Sequence, residues 1–384
     1  MIKAAAIEVR ERARLERLAR WARASGQPDV HLNGKRVGIL AGYGNTSYGD
    51  YFIGLGMANE TRAAGFTPVI IGRDSDMRAF LSNGIEVYAL PDRDHGLDEF
   101  EDVATRVHAL ILGGGGLFED RVDAVASQTL AAGYAARAVY AYNRGVPMAV
   151  HGVGIEREPY ALRGTERLLR NALRAARMVS VRDADSVEAC KRFGVDAQQA
   201  IDPAVIYLDS VRPPASVDEG TAAFIPFARR AWPNMSNPTE ADHQRQDVDW
   251  AQAADRLTGY NRVLVTPFHR TDLNYVDRIV TALKVKSPGV DVNVVDFTPE
   301  NPGVVLNALA RCEHVLTMRY HGFMAAHFAG VPTIEVLGES QKLRVTNALN
   351  QQGVLQDAWN AERARKQLRA TLGEVDTIHT HISW

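Results

Sequence analysis

The sequence predicts an α/β fold of two Rossmann-like, doubly wound domains facing a cleft. Three observations lead there. Short β-branched and aliphatic runs alternate with longer segments of helical period. The alternation breaks once, at 209–216, where Pro213 and Pro214 sit among small polar residues. Glycine-rich or polar clusters follow the predicted strands, at the ends where open parallel sheets bind ligands. A length of 384 residues corresponds to two or three domains at about 150 residues each. No repeat of about 20–50 residues indicates a solenoid or propeller.

The elements follow in order. Residues 1–25 form a basic amphipathic helix, with Leu15, Leu18, Ala19 and Ala22 on one stripe. Lys3 and six arginines against three glutamates give it a net charge of +4. Such a helix is either an interfacial element attracted to anionic lipid or an ordinary surface helix docked on the domain. The first Rossmann-like domain, 26–210, carries strands at 36–40, 68–71, 107–112, 146–150 and 178–181. Segments 123–143 and 165–176 place Ala, Leu and Arg at three-to-four spacing, as helices on a parallel sheet require. The second domain, 211–384, has strands at 221–226, 262–266, 290–295, 314–318 and 333–336. A long segment at 228–249, with Trp232, Pro233, Asn234 and Met235, reads as a mobile loop or lid.

With 46% hydrophobic, 8% aromatic and 23% charged residues, collagen-like, low-complexity and disordered classes are excluded. Forty-four Lys and Arg against 46 Asp and Glu leave a net charge of −2, so no nucleic-acid partner is expected. Cys190 and Cys312 are far apart and form no C-x-x-C pair, which argues against a disulfide framework or a thiolate zinc site. Neither a signal-peptide core nor a run of about 20 apolar residues is present. The expected location is cytoplasmic, at the inner face of the membrane if the N-terminal helix is interfacial.

The residues after each strand carry the functional signal. Gly42-Tyr43-Gly44-Asn45-Thr46-Ser47-Tyr48-Gly49-Asp50 follows the first strand and leads into a helix. Its glycines permit a tight turn and close backbone approach to a ligand. Gly113 to Gly116 read as a strand-to-helix loop able to present N–H groups to an anion. His151, Arg182 with Asp183, and His269 follow later strands. At 314–322 a strand ends in Arg319 and His321, spaced i, i+2 and therefore expected on one side of extended chain. A guanidinium there could grip a carboxylate or phosphate in two-pronged fashion. An imidazole beside it could move a proton near neutral pH. Four scattered Asp-x-Asp pairs read as chance. Zinc-protease, phosphate-loop and nucleophile-elbow motifs are absent, and no metal or cofactor is expected.

Taken together, these motifs resemble the polysaccharide pyruvyl transferase family over about residues 38–353. The resemblance rests on the Asn45 and Gly49-Asp50 loop, the Gly113 to Phe118 run, His151-Gly152-Val153-Gly154, Ser180-Val181-Arg182-Asp183 with Ser186, and Asp202-Pro203-Ala204. Its most specific block is Met318-Arg319-Tyr320-His321-Gly322 through Pro332, with Lys342 downstream. The family's first loop commonly reads Asn-x-Gly-Asp, whereas here Thr46-Ser47-Tyr48 separates Asn45 from Gly49-Asp50. Members are similar to glycosyltransferases of the two-domain GT-B architecture. The resemblance implies transfer of the enolpyruvyl group of phosphoenolpyruvate onto two hydroxyls of a sugar or glycan, lipid-linked in some settings, to form a pyruvate ketal. It implies His321 as general acid/base, with Arg319 on the carboxylate and Arg182 on the phosphate. It further implies Lys342 and His269 on the donor side, and Asn45, Asp50, Gly114, Gly115 and His151 on the acceptor side. The competing readings are a nucleotide-sugar-dependent glycosyltransferase and a noncatalytic glycan- or anion-binding protein.

Overall fold

The computed structural model describes residues 2–23, 35–44, 46–73, 76–90, 97–118, 128–155, 160, 162–214, 216–228, 240–336 and 355–376. In chain order the elements begin α1 (Ile2–Arg23), β1 (Arg36–Leu40), α2 (Tyr48–Ala63), β2 (Thr67–Arg73), α3 (Arg78–Leu81), β3 (Glu86–Leu90) and α4 (Leu97–Arg106). Next come β4 (Ala109–Phe118), α5 (Gln128–Asn143), β5 (Met148–Ile155), α6 (Arg163–Ala175), β6 (Val179–Val181), α7 (Ala184–Arg192), β7 (Gln198–Gln199) and α8 (Ala204–Ser210). After these lie β8 (Thr221–Ile225), α9 (Glu240–Arg256), β9 (Arg262–Val265), a 3-10 turn (Arg270–Tyr275), α10 (Val276–Lys286) and β10 (Asp291–Val294). The chain closes with α11 (Val304–Leu309), β11 (His314–Thr317), α12 (Tyr320–Phe328), β12 (Thr333–Val336), α13 (Leu355–Ala358) and α14 (Ala361–Asp376).

Two compact units result: residues 1–45, 53–206 and 360–384, and residues 46–52 with 207–359. In the first, seven parallel strands take the order β3-β2-β1-β4-β5-β6-β7. The order reverses between β1 and β4, the point at which open sheets place ligands. Ile39 pairs with Ile70 on one side and Ile111 on the other, and all three are buried, as strands covered on both faces require. The second unit has a five-stranded parallel sheet, β10-β9-β8-β11-β12. Its core gathers Phe224, Trp250, Val263, Val265, Ile279 and Leu316.

Several sequence expectations change. The four glycines are not a loop, because β4 continues through them to Phe118 and pairs Gly113 with His151 and Gly115 with Val153. Gly114 and Gly115 kink the strand at φ 71° and 78°, conformations that residues with a Cβ rarely adopt. A Cβ on Gly114 would lie 2.2 Å from Ile53 Cγ2, so backbone and helix also approach too closely for a side chain. His151-Gly152-Val153-Gly154 likewise lies within β5 rather than after it.

The expected boundary of 211–384 also fails at its far end, where α14 returns to the first unit. Its apolar stripe, Ala364, Leu368, Leu372 and Val375, is buried, and Gln367 Oε1 accepts from Ile201 N at 2.9 Å. Arg369 donates to the buried carboxylate of Glu60. Conversely, residues 46–52 cluster with the second unit rather than the first. Of the expected loop at 228–249, residues 240–249 are helical in α9 and 229–239 lie outside the described residues.

Helix α1 resolves its two readings toward docking. Leu15, Leu18, Ala19 and Ala22 are buried, and Trp21 stacks on Tyr140 at 4.4 Å. Trp21 Nε1 donates to Glu101 at 2.6 Å, and Asn143 Nδ2 donates to Ala22 O at 2.7 Å. The apolar stripe is therefore covered by protein and cannot insert into lipid. Among the described residues, no helix is long and apolar enough to cross a membrane.

Candidate active site

Arg319, His321 and His269 lie in the second unit. Strand β11 ends at Thr317, Arg319 remains extended at φ −127° and ψ 136°, and α12 begins at Tyr320. His321 therefore lies in a first helical turn, and the expected strand alternation with Arg319 does not hold. The sequence from Tyr320 to Phe328 is apolar nearly all round and becomes a buried helix. Thr317 Oγ1 closes the corner by accepting from Arg319 N and donating to Arg319 O, each at 3.1 Å. A Cβ on Gly322 would meet Thr317 Oγ1 at 2.6 Å, so glycine lets the helix sit against the strand.

Arg319 is fixed from several directions. Its Nε donates to Pro226 O at 3.0 Å, its Nη2 donates to Asp272 Oδ1 at 2.6 Å, and Phe227 lies under the guanidinium at 4.7 Å. The Arg319 side chain is 12% exposed and that of Asp272 is 0% exposed. Asp272 Oδ1 also accepts from Ala228 N at 3.2 Å, while Oδ2 accepts from Phe268 N at 3.2 Å and His269 N at 3.0 Å. Four donors thus satisfy this buried carboxylate. Among the described residues, Arg319 Nη1 has no hydrogen-bond partner, so that edge of the guanidinium is available to an anion.

His269 caps the 3-10 turn. Its Nδ1 accepts from Thr271 N at 3.1 Å, which puts the proton of the neutral ring on Nε2. Ser47 forms a β-bridge with His269, and Tyr48 N donates to Phe268 O at 3.0 Å. Tyr48 lies against Phe268 and Phe297, and its hydroxyl accepts from Thr298 N at 2.8 Å. Burial pushes the Tyr48 phenol up to about 12, so it stays neutral and serves as an anchor. The anchored segment delivers Gly49 to His321: a Cβ at position 49 would lie 2.3 Å from the imidazole Nδ1. Asp50 is the next residue in that first turn.

The first unit holds the remaining expected residues. The Arg182 side chain is 8% exposed, and its Nε donates to Asp183 Oδ2 at 3.2 Å. Asp183 caps α7 by accepting from Ser186 N at 2.8 Å. Burial opposes its charge, but the Ser186 hydrogen bond and Arg182 hold the carboxyl below its ordinary value. His151 is buried, 1% exposed, with Nδ1 at 2.9 Å from Thr371 Oγ1 and 3.0 Å from Ser180 Oγ. Burial lowers it to about 4 against the opposing charge of Asp202, so its ring is neutral at pH 7. Gly114 and Gly115 are the strand kinks described above. Asn45 and Lys342 lie outside the described residues.

The structure thus gathers Arg319, His321, His269 and the 46–50 segment in one unit, and adds Asp272, Phe227 and Thr317, which the sequence reading missed. One signal for Asp272 was present: it stands three residues after the N-cap His269, the spacing of a capping box, which the structure contains. Among the described residues, no group of three or more His, Cys, Asp or Glu side chains is placed to hold a metal ion.

Comparison with known proteins agrees with this architecture. The model for the family described as polysaccharide pyruvyl transferase matches residues 48–340. The UDP-N-acetylglucosamine 2-epimerase from Rickettsia bellii is similar over 91% of this chain and 99% of its own, at 11% identity and TM-score 0.54. The S. aureus MnaA-UDP co-structure is similar over 88% of this chain and 91% of its own, at 10% identity and TM-score 0.55. The Methanocaldococcus jannaschii UDP-GlcNAc 2-epimerase, in complex with UDP-GlcNAc and UDP, covers 88% and 92% at 10% identity and TM-score 0.51. At such identities the likeness concerns the fold, which is two-domain, Rossmann-like and GT-B-like. No curated protein matches the chain significantly.

Proposed function

The chain belongs to the polysaccharide pyruvyl transferase family, and on that premise we propose that it transfers the enolpyruvyl group of phosphoenolpyruvate to two hydroxyls of a sugar or glycan. The observation that carries this reading is the guanidinium of Arg319, held by Asp272, Pro226 and Phe227 with Nη1 left available. A cation fixed in this way meets a small dianion without reorganising, which is where electrostatic stabilisation is most effective.

In the proposed reaction, a proton adds to the methylene carbon of phosphoenolpyruvate and the adjacent carbon becomes electrophilic. One acceptor hydroxyl adds there and loses its proton. The carbon–oxygen bond to phosphate breaks, and the second hydroxyl closes the ring as its proton leaves with the phosphate. The products are a pyruvate ketal and inorganic phosphate. His321 is assigned as the general acid/base, a role worth about 100- to 10,000-fold in rate. Arg319 takes the carboxylate. Arg182 and Lys342 are assigned to the phosphate and His269 to the donor side. Asn45, Asp50, Gly114, Gly115 and His151 are assigned to the acceptor on the family resemblance. For His151 the supported contribution is to backbone order, since its ring is already engaged within the protein.

Calorimetric binding of phosphoenolpyruvate, UDP-sugars and GDP-sugars to wild type and Arg319→Lys tests the donor. Lysine keeps the charge and loses the fork. Selective binding of phosphoenolpyruvate, weakened in Arg319→Lys, is the expected result. Selective binding of a nucleotide sugar would overturn the reading in favour of glycosyl transfer.

A further inference from the structure

We propose that the outer face formed by α1 and α6 of the first unit is a docking surface for an anionic lipid bilayer. Arg163, Arg167, Arg170 and Arg174 follow one another at i, i+4, i+7 and i+11, and all four are exposed. At 3.6 residues per turn they fall within an arc of about 60° and form a ridge about 16 Å long. Leu168, Leu169, Ala172 and Leu173 are buried on the opposite side. The acid of this helix, Glu166, is taken up by Arg192 at 3.6 Å. Among the described residues, Arg163, Arg167 and Arg170 face no carboxylate.

Helix α1 adds a second cationic surface. Arg10, Arg12, Arg17, Arg20 and Arg23 are exposed, while Glu11 is turned inward beside Arg14 at 3.7 Å. Glu16 is the acid that shares the exposed arc. The helices are neighbours: a Cβ on Gly164 would lie 3.0 Å from Leu15 Cδ1, and both cover α5, which is buried from Ala131 to Ala141. In a chain whose net charge is −2, this concentration of arginine is a local property of these two neighbouring helices.

Charge complementarity selects the partner. Like charges three and four residues apart disfavour a helix, so the ridge opposes folding and contributes nothing to the core. The arginines spread along two convex helices rather than around a pocket, which suits distributed negative charge more than a discrete anion. Because the apolar stripe of α1 is buried, the contact is electrostatic and at headgroup level. No aromatic side chain interleaves the α6 ridge to stack on bases. This inference stands apart from the donor assignment.

Cosedimentation of the full chain with vesicles tests it, using phosphatidylcholine alone and phosphatidylcholine mixed with phosphatidylglycerol. Binding to the mixed vesicles only, weakening as salt rises, is expected. Each arginine near an anionic surface is worth about five-fold, so Arg163→Gln/Arg167→Gln/Arg170→Gln should bind about a hundred-fold more weakly, with a melting temperature equal to or slightly above that of wild type because like charges are removed from the helix. The corresponding triple lysine variant should bind as wild type. Equal binding to both vesicle types, retained binding by the glutamine variant, or loss of binding in the lysine variant would overturn the proposal. So would tighter binding to duplex DNA or RNA, which would make the face a nucleic-acid surface.

Discussion

Replacing Asp272 by asparagine keeps the shape of the side chain and removes its charge, and the structure dictates the cost. The carboxylate accepts from Ala228 N and Arg319 Nη2 on one oxygen and from Phe268 N and His269 N on the other. An amide offers one acceptor oxygen, so whichever way it turns, its NH2 group faces two donors. Arg319 also loses its counter-charge in a site where its side chain is 12% exposed. Breaking a buried pair in this way costs about 3–5 kcal/mol; the residual exposure of Arg319 favours the lower end. For a unit of this size that is a fall in melting temperature of about 10 °C. Phosphate-release kinetics at varied phosphoenolpyruvate should show KM rising at least about ten-fold, with a smaller change in kcat, because the loosened guanidinium acts in binding. A melting temperature within about 2 °C of wild type, together with an unchanged KM, would refute the argument that Asp272 fixes Arg319.

Two further perturbations probe other parts of the molecule. Gly49→Ala places a methyl where the His321 imidazole now sits, 2.3 Å from Nδ1. The ring must move to make room, so kcat should fall about 100-fold, as a displacement of about 1 Å in a reacting group can cause, and overpacking of about 1–3 kcal/mol should lower the melting temperature by several degrees; wild-type turnover would show that His321 need not stand there. His151 titrates at about 4 in the folded chain rather than at its ordinary 6.5. The unfolded state then binds the extra proton between these values, so stability is fully present above pH 6.5 and is lost as pH falls toward 4, by about 3 kcal/mol in all. Melting temperatures of His151→Gln across pH 4 to 7 should lack this component, and an acid loss identical to wild type would remove His151 as its source.

The strand rhythm was legible because parallel strands are buried on both faces and leave continuous aliphatic runs, as at Val37 to Leu40 and Ala109 to Leu112. Strand β3 is half exposed and β7 consists of two exposed glutamines, so neither carries that signature. The glycine run misled for the same reason: without side chains, residues 113–116 have no hydrophobic pattern, although their backbones continue the ladder. Arg319, His321 and His269 stood out because they follow strands directly. Asp272 did not, since one aspartate in a polar turn is ordinary until the fold buries it. The approach of Gly49 to His321 joins residues far apart in sequence and has no local trace. Local pattern likewise assigned α14 to the nearer domain, because its partners Glu60, His151 and Ile201 lie more than 150 residues upstream.

That return of α14 sets an order of events during synthesis. The strands of the first unit emerge from the ribosome with the chain up to residue 206, but the helix that packs on β4 and β5 is made after the whole second unit, roughly 8 to 30 s later at 5–20 residues per second. Until then Glu60 lacks Arg369, His151 lacks Thr371, and the surface destined for Leu368 and Leu372 faces water. The first unit is begun first and finished last. A chain released before residue 361 carries an uncovered apolar face and a buried carboxylate without its Arg369 partner, so the first unit is complete only once α14 has been made.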